Sequence, residues 1–308
     1  MGSDDRRSLR LLVIEDFRNH GSRPSSPAFR ALAVYRFARW RDALPPGLRR
    51  KTLGLAYEIL RRHIRGRHWI ELHHTASIGR RVSLDDRGGI VIGNDAVLGD
   101  DCVVSPYVTM AKTRVGRPGR PTIGDRVVIG PGASFIGGVA VGDDAVIGPN
   151  SVVVTDVPQG STLTVRAAGV ARRVASQSAD VGEVSSRSVE LRGHTLPDGV
   201  EVDRGVRIVP SAPPHLYGNV TIGEECAIAE RVSLGWNPPR DPRPESSTTR
   251  LGQRVEVAAG VVILRGVTIG DDARIDPNCV VESDVPARSI VTAARGRRLA
   301  GLRETGDV

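Results

Sequence analysis

Histidines and neighbouring carboxylates are the side chains of this sequence best suited to move a proton. The chain contains seven histidines, His20, His63, His68, His73, His74, His194 and His215. An imidazole titrates near neutral pH and can take the proton of a hydroxyl group, which is otherwise a poor nucleophile. A carboxylate such as Asp86 is too weak a base unless burial or a like-charged neighbour, here Asp85 or Glu71, raises its pKa.

A second group of residues is suited to hold a substrate. The candidates are His73, His74, Arg114, Arg120 and Trp236. The two histidines lie close to Glu71 and could contact a substrate or transfer a proton, or serve only in packing and capping. The arginines, with Arg117, could bind an anionic acceptor or a phosphate, or could be solvated loop charges. The tryptophan could line an acceptor pocket or cover the adjacent part of the fold.

The elements that carry these residues repeat every six positions. From Ile78 onward an aliphatic residue returns at every sixth position, usually followed by Gly or Ala. A hexad with a turn residue after each aliphatic predicts one short strand and one corner, and three such sides form a triangular coil. The position four residues after each aliphatic is small, as a narrow interior requires. It includes Cys102, Cys226 and Cys279, which we therefore interpret as inert packing rather than a disulfide framework or a zinc site.

The solenoid of hexads occurs twice. The run that begins at Ile123 matches the run that begins at Leu251 hexad by hexad, as far as an Asp-Val-Pro at the end of each. Polar stretches interrupt the hexads at corresponding places, 111–122 and 235–250, and such loops suggest function because a regular coil does not need them. The predicted organisation is a helical region (1–69), a first solenoid (70–174), a linker (175–189) and a second solenoid (190–308). Within the helical region, residues 8–20 and 27–66 have helical spacing, and Pro45-Pro46-Gly47 breaks the longer stretch.

Composition favours a folded chain without a membrane span. The 308 residues are 40% hydrophobic but only 4% aromatic, so the core must consist mainly of Val, Ile, Leu and Ala. No apolar run approaches the roughly 20 residues of a bilayer span, and no secretion signal opens the chain, so we expect a cytoplasmic protein. Residues 1–70 hold 16 Lys and Arg against 6 Asp and Glu, and the remainder holds 27 against 29. We interpret this N-terminal excess as a solvated helical face, with nucleic-acid binding as a less favoured alternative.

Several segments resemble the serine acetyltransferases and, more broadly, the hexapeptide-repeat acyltransferases. They are Phe29–Trp40, Ile70–Arg81, Gly88–Gly93, Pro121–Gly124, Gly130–Gly138 and Ala167–Arg173. The likeness covers residues 8–174 and returns more weakly over 195–300. It implies a mainly β fold of two tandem left-handed parallel β-helices with an N-terminal helical region. It also implies assembly as trimers, with acyl-CoA in grooves between neighbouring prisms.

The resemblance also implies roles for individual residues. In the family a histidine, oriented by an acidic residue, deprotonates the acceptor hydroxyl, and a second histidine lies in the loop. Here Glu71 occupies the position of the acidic residue, Asp86 that of the catalytic histidine and Arg120 that of the loop histidine. The first half therefore lacks the usual histidine pair. In the second half His215-Leu-Tyr-Gly218 resembles the family's histidine-x-x-glycine, so His215 is either the general base or an ordinary loop histidine.

For the cofactor, the resemblance implies acetyl-CoA or another acyl-CoA and no metal. The implied contacts are Gly132, Ala133 and Gly137 on a groove wall, and Arg166, Arg172 and Arg173 near the adenosine and phosphates. Small residues let a pantetheine chain approach the backbone closely, although the same glycines also suit the corners of the coil.

Two functions follow from these observations. The leading hypothesis is a divergent acyl-CoA-dependent O- or N-acyltransferase acting on a small amino-acid-like or other small-molecule acceptor. An amine acceptor would ease the loss of the histidine, since a neutral nitrogen attacks a thioester without strong base assistance. The alternative is a catalytically silent scaffold or regulatory protein. The expected partners are a small-molecule substrate and further copies of the chain, as a homotrimer or a dimer of trimers, with no membrane partner.

Overall fold

The computed structural model describes residues 3–113, 117–164, 169–172, 189–190, 199–208, 214–237, 243–244 and 246–292. Three helices, α1 (Ser3–Asn19), α2 (Pro27–Asp42) and α3 (Leu48–His68), precede the strands. Helix α2 begins where Ser26 accepts a hydrogen bond from the Phe29 amide at 3.1 Å and Pro27 fixes the first turn. Helix α3 ends at His68 and is capped by Trp69, which has a left-handed backbone conformation. The break predicted between α2 and α3 is confirmed.

The first solenoid consists of three parallel sheets. Sheet A contains β1 (Glu71–Leu72), β4 (Val91–Ile92), β7 (Thr109–Ala111), β10 (Ser134–Ile136) and β13 (Val152–Val153); sheet B contains β2 (Ser77–Ile78), β5 (Val97–Leu98), β8 (Thr122–Ile123) and β11 (Ala140–Val141); sheet C contains β3 (Ser83–Leu84), β6 (Val103–Val104), β9 (Val128–Ile129), β12 (Val146–Ile147) and β14 (Thr162–Leu163). Val91 pairs with Thr109, and Ser134 pairs with Val152, so the chain returns to the same sheet after three hexads. Three hexads therefore form one turn, as predicted.

The second solenoid repeats this arrangement. Sheet D contains β16 (Val189–Glu190), β18 (Arg207–Ile208), β21 (Ala227–Ile228), β24 (Glu256–Val257), β27 (Arg274–Ile275), β29 (Ser289–Thr292) and β15 (Gly169–Arg172); sheet E contains β17 (Val200–Val202), β20 (Val220–Ile222), β23 (Thr249–Leu251) and β26 (Thr268–Ile269); sheet F contains β19 (His215–Leu216), β22 (Ser233–Trp236), β25 (Val262–Leu264) and β28 (Val280–Val281). Both solenoids are left-handed parallel β-helices, as the resemblance implied.

One strand crosses between the predicted domains. The sequence predicts Gly169–Arg172 within the first solenoid, but this strand pairs antiparallel with Ser289–Thr292 of the second. The last coil of a solenoid exposes unpaired backbone groups, and an added antiparallel strand satisfies one such edge. Hexad spacing could not reveal this strand because it lies outside the repeat. The predicted linker 175–189 lies outside the described residues except for Val189.

The interior consists of the residues that the hexads placed there. The small positions occupied by Ala96, Ala133 and Ala145 have no exposed surface, and the three cysteines are buried beside them. Burial raises the pKa of the Cys102 and Cys226 thiols to about 11 and that of Cys279 to about 12. The thiolate is the reactive form, so these pKa values agree with a packing role.

The correspondence between the two solenoids shifts at the polar loop. Ser134 corresponds to Val262, and the strand pairs Ser134–Thr109 and Val262–Ser233 therefore make Ser233 the counterpart of Thr109. More residues separate Ser233 from Val262 than separate Thr109 from Ser134, so the loop of the second solenoid is the longer one. A match carried across this loop without a gap is therefore wrong for the residues that precede it.

The two solenoids lie side by side, and corresponding coils lie at the same height along the solenoid axes. The Asn150 side-chain amide donates hydrogen bonds to the carbonyl oxygens of Gly260 at 2.7 Å and of Asn278, its own counterpart, at 3.3 Å. The outer face of sheet F is buried, with Ser233 and Val280 at most 3% exposed. The equivalent face of sheet A is open, and Val152, the counterpart of Val280, is 60% exposed.

Candidate active site

A pocket of about 360 Å³ opens where the helical region meets the first solenoid. One wall is the turn after α1, from Asn19 to Arg23, and the other is the corner after β3, from Ser83 to Arg87. The pocket brings Asp85 and Asp86 together with the guanidinium groups of Arg23 and Arg87. Carboxylates and cations therefore share one small recess, which suits a ligand that carries both charges.

Asp86 is tied to the start of helix α2. Its Oδ1 accepts hydrogen bonds from the Ser26 hydroxyl and, at 3.1 Å, from the Ala28 amide. Its other oxygen lies 4.0 Å from the guanidinium of Arg23. The unpaired amides of a helix N-terminus favour a carboxylate, so this residue has a structural role whatever else it does.

Asp85 is the more unusual carboxylate of the pair. Its side chain is 23% exposed, and burial raises its pKa although Arg87 acts in the opposite direction. Its Oδ1 accepts a hydrogen bond from the Arg87 amide at 2.9 Å. From the sequence alone, Asp85 is only a neighbour that could perturb Asp86. In the structure it is Asp85 whose pKa is raised by burial. The hexad pattern does not predict how deeply a corner residue is buried, so the sequence could not have shown this.

His215 lies in the contact between the two solenoids. It is 5% exposed, its ring stacks on Tyr107, and its Nε2 lies 3.4 Å from the Tyr107 hydroxyl. Its Nδ1 is buried without a hydrogen-bond partner among the described residues. Burial lowers the pKa of His215 to about 3, with a smaller contribution from Arg87, so the ring is neutral at physiological pH.

The strand register also corrects the sequence match of His215. It pairs with Ser233, and the counterpart pair in the first solenoid is Val91 with Thr109. His215 is therefore level with Val91 and not with Asp86, because the longer second loop shifts the correspondence. The residue lies in a strand and not in a loop.

Arg87 connects the pocket with this contact. Its guanidinium donates a hydrogen bond to the Leu216 carbonyl oxygen at 2.7 Å and lies 4.2 Å from the centre of the Tyr217 ring. The same side chain lines the pocket beside Asp85. The second solenoid therefore fixes the position of a charged group in a pocket of the first.

Glu71, the third predicted catalytic residue, faces the helical region. Its Oε1 lies 3.1 Å from Arg61 and 3.6 Å from Arg65, both on helix α3. The partners of Asp86 are Ser26 and Ala28, and the partner of His215 is Tyr107. The structure therefore does not bring the three predicted catalytic residues into one hydrogen-bonded group.

The two predicted substrate-binding histidines form a pair beside the helices. The rings of His73 and His74 lie with centroids 4.6 Å apart. His73 Nδ1 lies 2.9 Å from the Thr75 hydroxyl, and His74 Nδ1 lies 3.0 Å from Asp42 Oδ2. Burial lowers the pKa of His73. Neither residue lines the pocket described above.

The remaining predicted contacts are dispersed. Arg120 is exposed in the first loop, whereas Trp236 is 5% exposed and packs in the second core, so it covers its coil. Gly132 and Gly137 have positive φ, and a side chain at Gly137 would overlap the Arg117 carbonyl oxygen, so coil geometry accounts for both. Ala133 is fully buried. The backbone of Arg172 lies in β15, and Arg114, Arg166 and Arg173 lie outside the described residues.

Two further kinds of site are missing from the described part of the chain. It holds no group of three His, Cys, Asp or Glu side chains that could bind a metal ion. None of its helices is long and apolar enough to cross a membrane.

Comparisons with known proteins identify the repeats. The model of the bacterial transferase hexapeptide family (six repeats) matches residues 120–155 and 248–283. The serine acetyltransferase of Helicobacter pylori is 39% identical over 140 residues, which are 44% of this chain and 76% of that protein. The enzyme of Synechococcus elongatus is 32% identical over 219 residues, 67% of this chain and 84% of that protein. A solved structure of soybean serine acetyltransferase complexed with serine is 29% identical with a TM-score of 0.41, over 51% of this chain and 66% of that one.

The duplicated hexapeptide coils and these matches define an acyltransferase of the hexapeptide-repeat class. The likeness to the Helicobacter and Synechococcus enzymes extends over most of the length of each of them. The chain belongs to the serine acetyltransferase family.

Proposed function

We propose that the protein transfers an acetyl or other acyl group from acyl-CoA to a small acceptor that resembles an amino acid. The relatives it matches over most of their length are serine acetyltransferases. The observation that carries the proposal is the pocket that combines Asp85 and Asp86 with Arg23 and Arg87. An amino acid carries an ammonium group and a carboxylate, and these two pairs of side chains provide the opposite charges within reach of one small molecule.

The Asp85–Asp86 pair is the proposed proton acceptor. Within the pair Asp85 is the proposed base, because burial raises its pKa and a base is most effective when its pKa approaches the working pH. In the proposed step the acceptor oxygen or nitrogen attacks the thioester carbonyl, its proton passes to the carboxylate, and the CoA thiolate leaves. His215 is a weaker candidate because its Nδ1 is buried and its pKa is lowered.

For acyl-CoA, the proposed contacts remain those that the family resemblance implies. Gly132 lies in the corner that carries the Asn150 contact with the second solenoid. A groove between the two solenoids of one chain would then take the place of a groove between subunits. The arginines after residue 164 would meet the phosphates of the cofactor, because a guanidinium matches phosphate geometry.

The second candidate is a catalytically silent scaffold, and one observation favours it. Asp86, at the position of the family's catalytic histidine, is engaged by Ser26 and by the Ala28 amide at the start of α2. A residue that caps a helix has a structural reason to be present. On this alternative the pocket would bind a ligand without turning it over.

Two measurements separate these candidates. Calorimetry with CoA and acetyl-CoA tests binding, and release of the CoA thiol in the presence of serine and other amino acids tests transfer. We expect Asp85→Asn to lower turnover by roughly 100-fold or more, as for a lost general base. Asp101→Asn is the matched control, because Asp101 is an exposed carboxylate paired with Arg81 away from the pocket. Absence of CoA binding at millimolar concentration would refute the enzyme, whereas binding without transfer would establish the scaffold.

Self-association is also part of the proposal, as the predicted homotrimer or dimer of trimers. The open outer face of sheet A supports it. Val152 and Ile136 are 60% and 40% exposed there, whereas their counterparts Val280 and Leu264 are buried. Burial of the equivalent face of the second solenoid, where Val280 and Leu264 lie, supports coverage of sheet A by another copy.

A further inference from the structure

Helix α3 has an apolar face that points away from the protein. Leu48, Leu55 and Ile59 are 79%, 68% and 62% exposed, and Trp69, directly after the helix, is 73% exposed. At 3.6 residues per turn the three aliphatic side chains lie within about 40° of one line along the helix. We call these four residues the outer face of α3.

This face is distinct from the one that packs on the protein. Tyr57 and Ile64 are 2% and 6% exposed and lie on the opposite side of the helix. Burial of Tyr57 and Ile64 therefore accounts for the attachment of α3, and it leaves the outer face exposed. Three large aliphatic side chains on one exposed helical line indicate an interaction surface.

The charges beside the outer face are predominantly positive. Helix α3 contains seven Lys and Arg residues and one acidic residue, Glu58, which pairs with Arg61. Four of the basic residues are exposed and form no salt bridge within the part of the chain that the structure describes: Arg49, Lys51, Arg62 and Arg67. The outer face is therefore apolar along its centre and positive at its borders.

We propose that the outer face of α3 binds an anionic phospholipid membrane surface. A basic amphipathic helix lies in the membrane interface with its apolar side chains at the acyl boundary and its cations among the head groups. Trp69 stands at the end of the helix, and tryptophan is enriched at that depth. The helix would lie on the bilayer and not cross it, in agreement with the absence of a spanning helix among the described residues. The proposal revises the sequence interpretation of a solvated basic face, and it does not depend on acyl transfer.

Charge also argues against a second copy of α3 as the occupant. Two such helices packed face to face would bring Lys51 and Arg62 close to the same residues of the partner, with Glu58 already paired. Like charges at close range oppose association, whereas an anionic surface attracts all of them.

Flotation with vesicles tests the proposal. We expect the full chain to float with vesicles of phosphatidylcholine and phosphatidylglycerol, at least tenfold more than with phosphatidylcholine alone, and to detach in 0.5 M salt. Leu55→Gln with Ile59→Gln removes apolar surface without a change of charge and should reduce binding at least tenfold. Leu11→Gln, at a leucine of α1 that is 60% exposed, is the matched control and should bind as the parent does. Thermal melting confirms that each variant is folded.

A spectroscopic readout places the helix in the interface. Brominated lipid should quench the fluorescence of Trp69, and Trp69→Phe should remove that quenching while the other two tryptophans remain. Equal binding to neutral and anionic vesicles, or no binding at low salt, would overturn the proposal. A parent oligomer that dissociates in the Leu55→Gln and Ile59→Gln variant without any vesicle binding would show that a second copy covers this face.

Discussion

Tyr107 of the first solenoid and His215 of the second stack with ring centroids 5.0 Å apart and ring planes inclined by 13°. The stack places the titratable ring of His215 in the interface between the two solenoids, whose interiors are mainly aliphatic. Arg87 lowers the pKa of His215 further. Arg231, Glu230 and Asp85 are the charged groups that act on Tyr107. Protonation of His215 would leave a charge in this interface without an acidic partner among the described residues.

His215 should make the folded protein sensitive to acid. Its pKa is about 3 in the folded state and near 6.5 when unfolded, so the unfolded chain binds the proton more readily. The contribution of neutral His215 to the free energy of unfolding is therefore fully present above pH 6.5, and it is lost as the pH falls toward 3. By pH 5 the loss is about 2 kcal/mol, at 1.36 kcal/mol per pH unit below 6.5. Urea unfolding at pH 7.5 and at pH 5 measures it.

His215→Phe is the control for this titration. Phenylalanine preserves the stack and removes the unpartnered Nδ1, so the variant should be as stable as the parent at pH 7.5. Between pH 7.5 and pH 5 the variant should lose less stability than the parent. The effects of all other titrating groups are the same in both proteins, so the difference between the two losses reports His215 alone. An equal loss in the two proteins would show that His215 is already protonated in the interface or exposed there.

Gly88 should be intolerant of any side chain. Its φ is +81°, and a Cβ there would overlap the carbonyl oxygen of His68, at the end of α3. Backbone atoms cannot move aside as a flexible side chain can, so Gly88→Ala should cost roughly 3 kcal/mol or more. The measurement is the free energy of unfolding.

Gly160→Ala separates strain from overlap. Gly160 also has a positive φ, +66°, but nothing lies within 4 Å of an added Cβ. Its substitution should cost only about 1 kcal/mol, the backbone strain alone. Equal costs at the two positions would mean that the corner at Gly88 can shift away from the helix.

The spacing of the hexads was sufficient to predict the fold because each aliphatic residue faces one narrow interior. Cys102 and Ala133 could be placed inside from position alone. The site was less accessible, because corners carry no periodic constraint. The sequence cannot set the position of His215 relative to the first solenoid, because His215 precedes the longer loop, whose extra residues belong to no repeat. The raised pKa of Asp85 results from burial at a corner of the coil, and the hexad pattern does not predict how deeply a corner is buried.

The three cysteines should not react with thiol reagents in the folded protein. Burial raises the pKa values of Cys102 and Cys226 to about 11, so the thiolate fraction at pH 8 is below about 1%. Ellman's reagent should label no thiol before unfolding and three after it. Rapid labelling of one cysteine in native buffer would show local opening of the coil that contains it.

The pair Val152 and Val280 should separate self-association from folding. The two residues occupy equivalent positions, but Val152 is 60% exposed on sheet A and Val280 is 3% exposed on sheet F. Val280→Asp buries a carboxylate and should cost on the order of 4 kcal/mol of stability. Val152→Asp should leave the melting temperature of the isolated chain unchanged.

The effect of Val152→Asp should instead appear in the oligomeric state. If another copy covers sheet A, the new carboxylate lies in that interface and must lose its water, so the oligomer should dissociate at least tenfold more readily. Sedimentation velocity over a range of concentrations measures this, with Val103→Asp as a control, because Val103 is 42% exposed on sheet C. Dissociation by Val103→Asp alone would move the proposed interface from sheet A to sheet C.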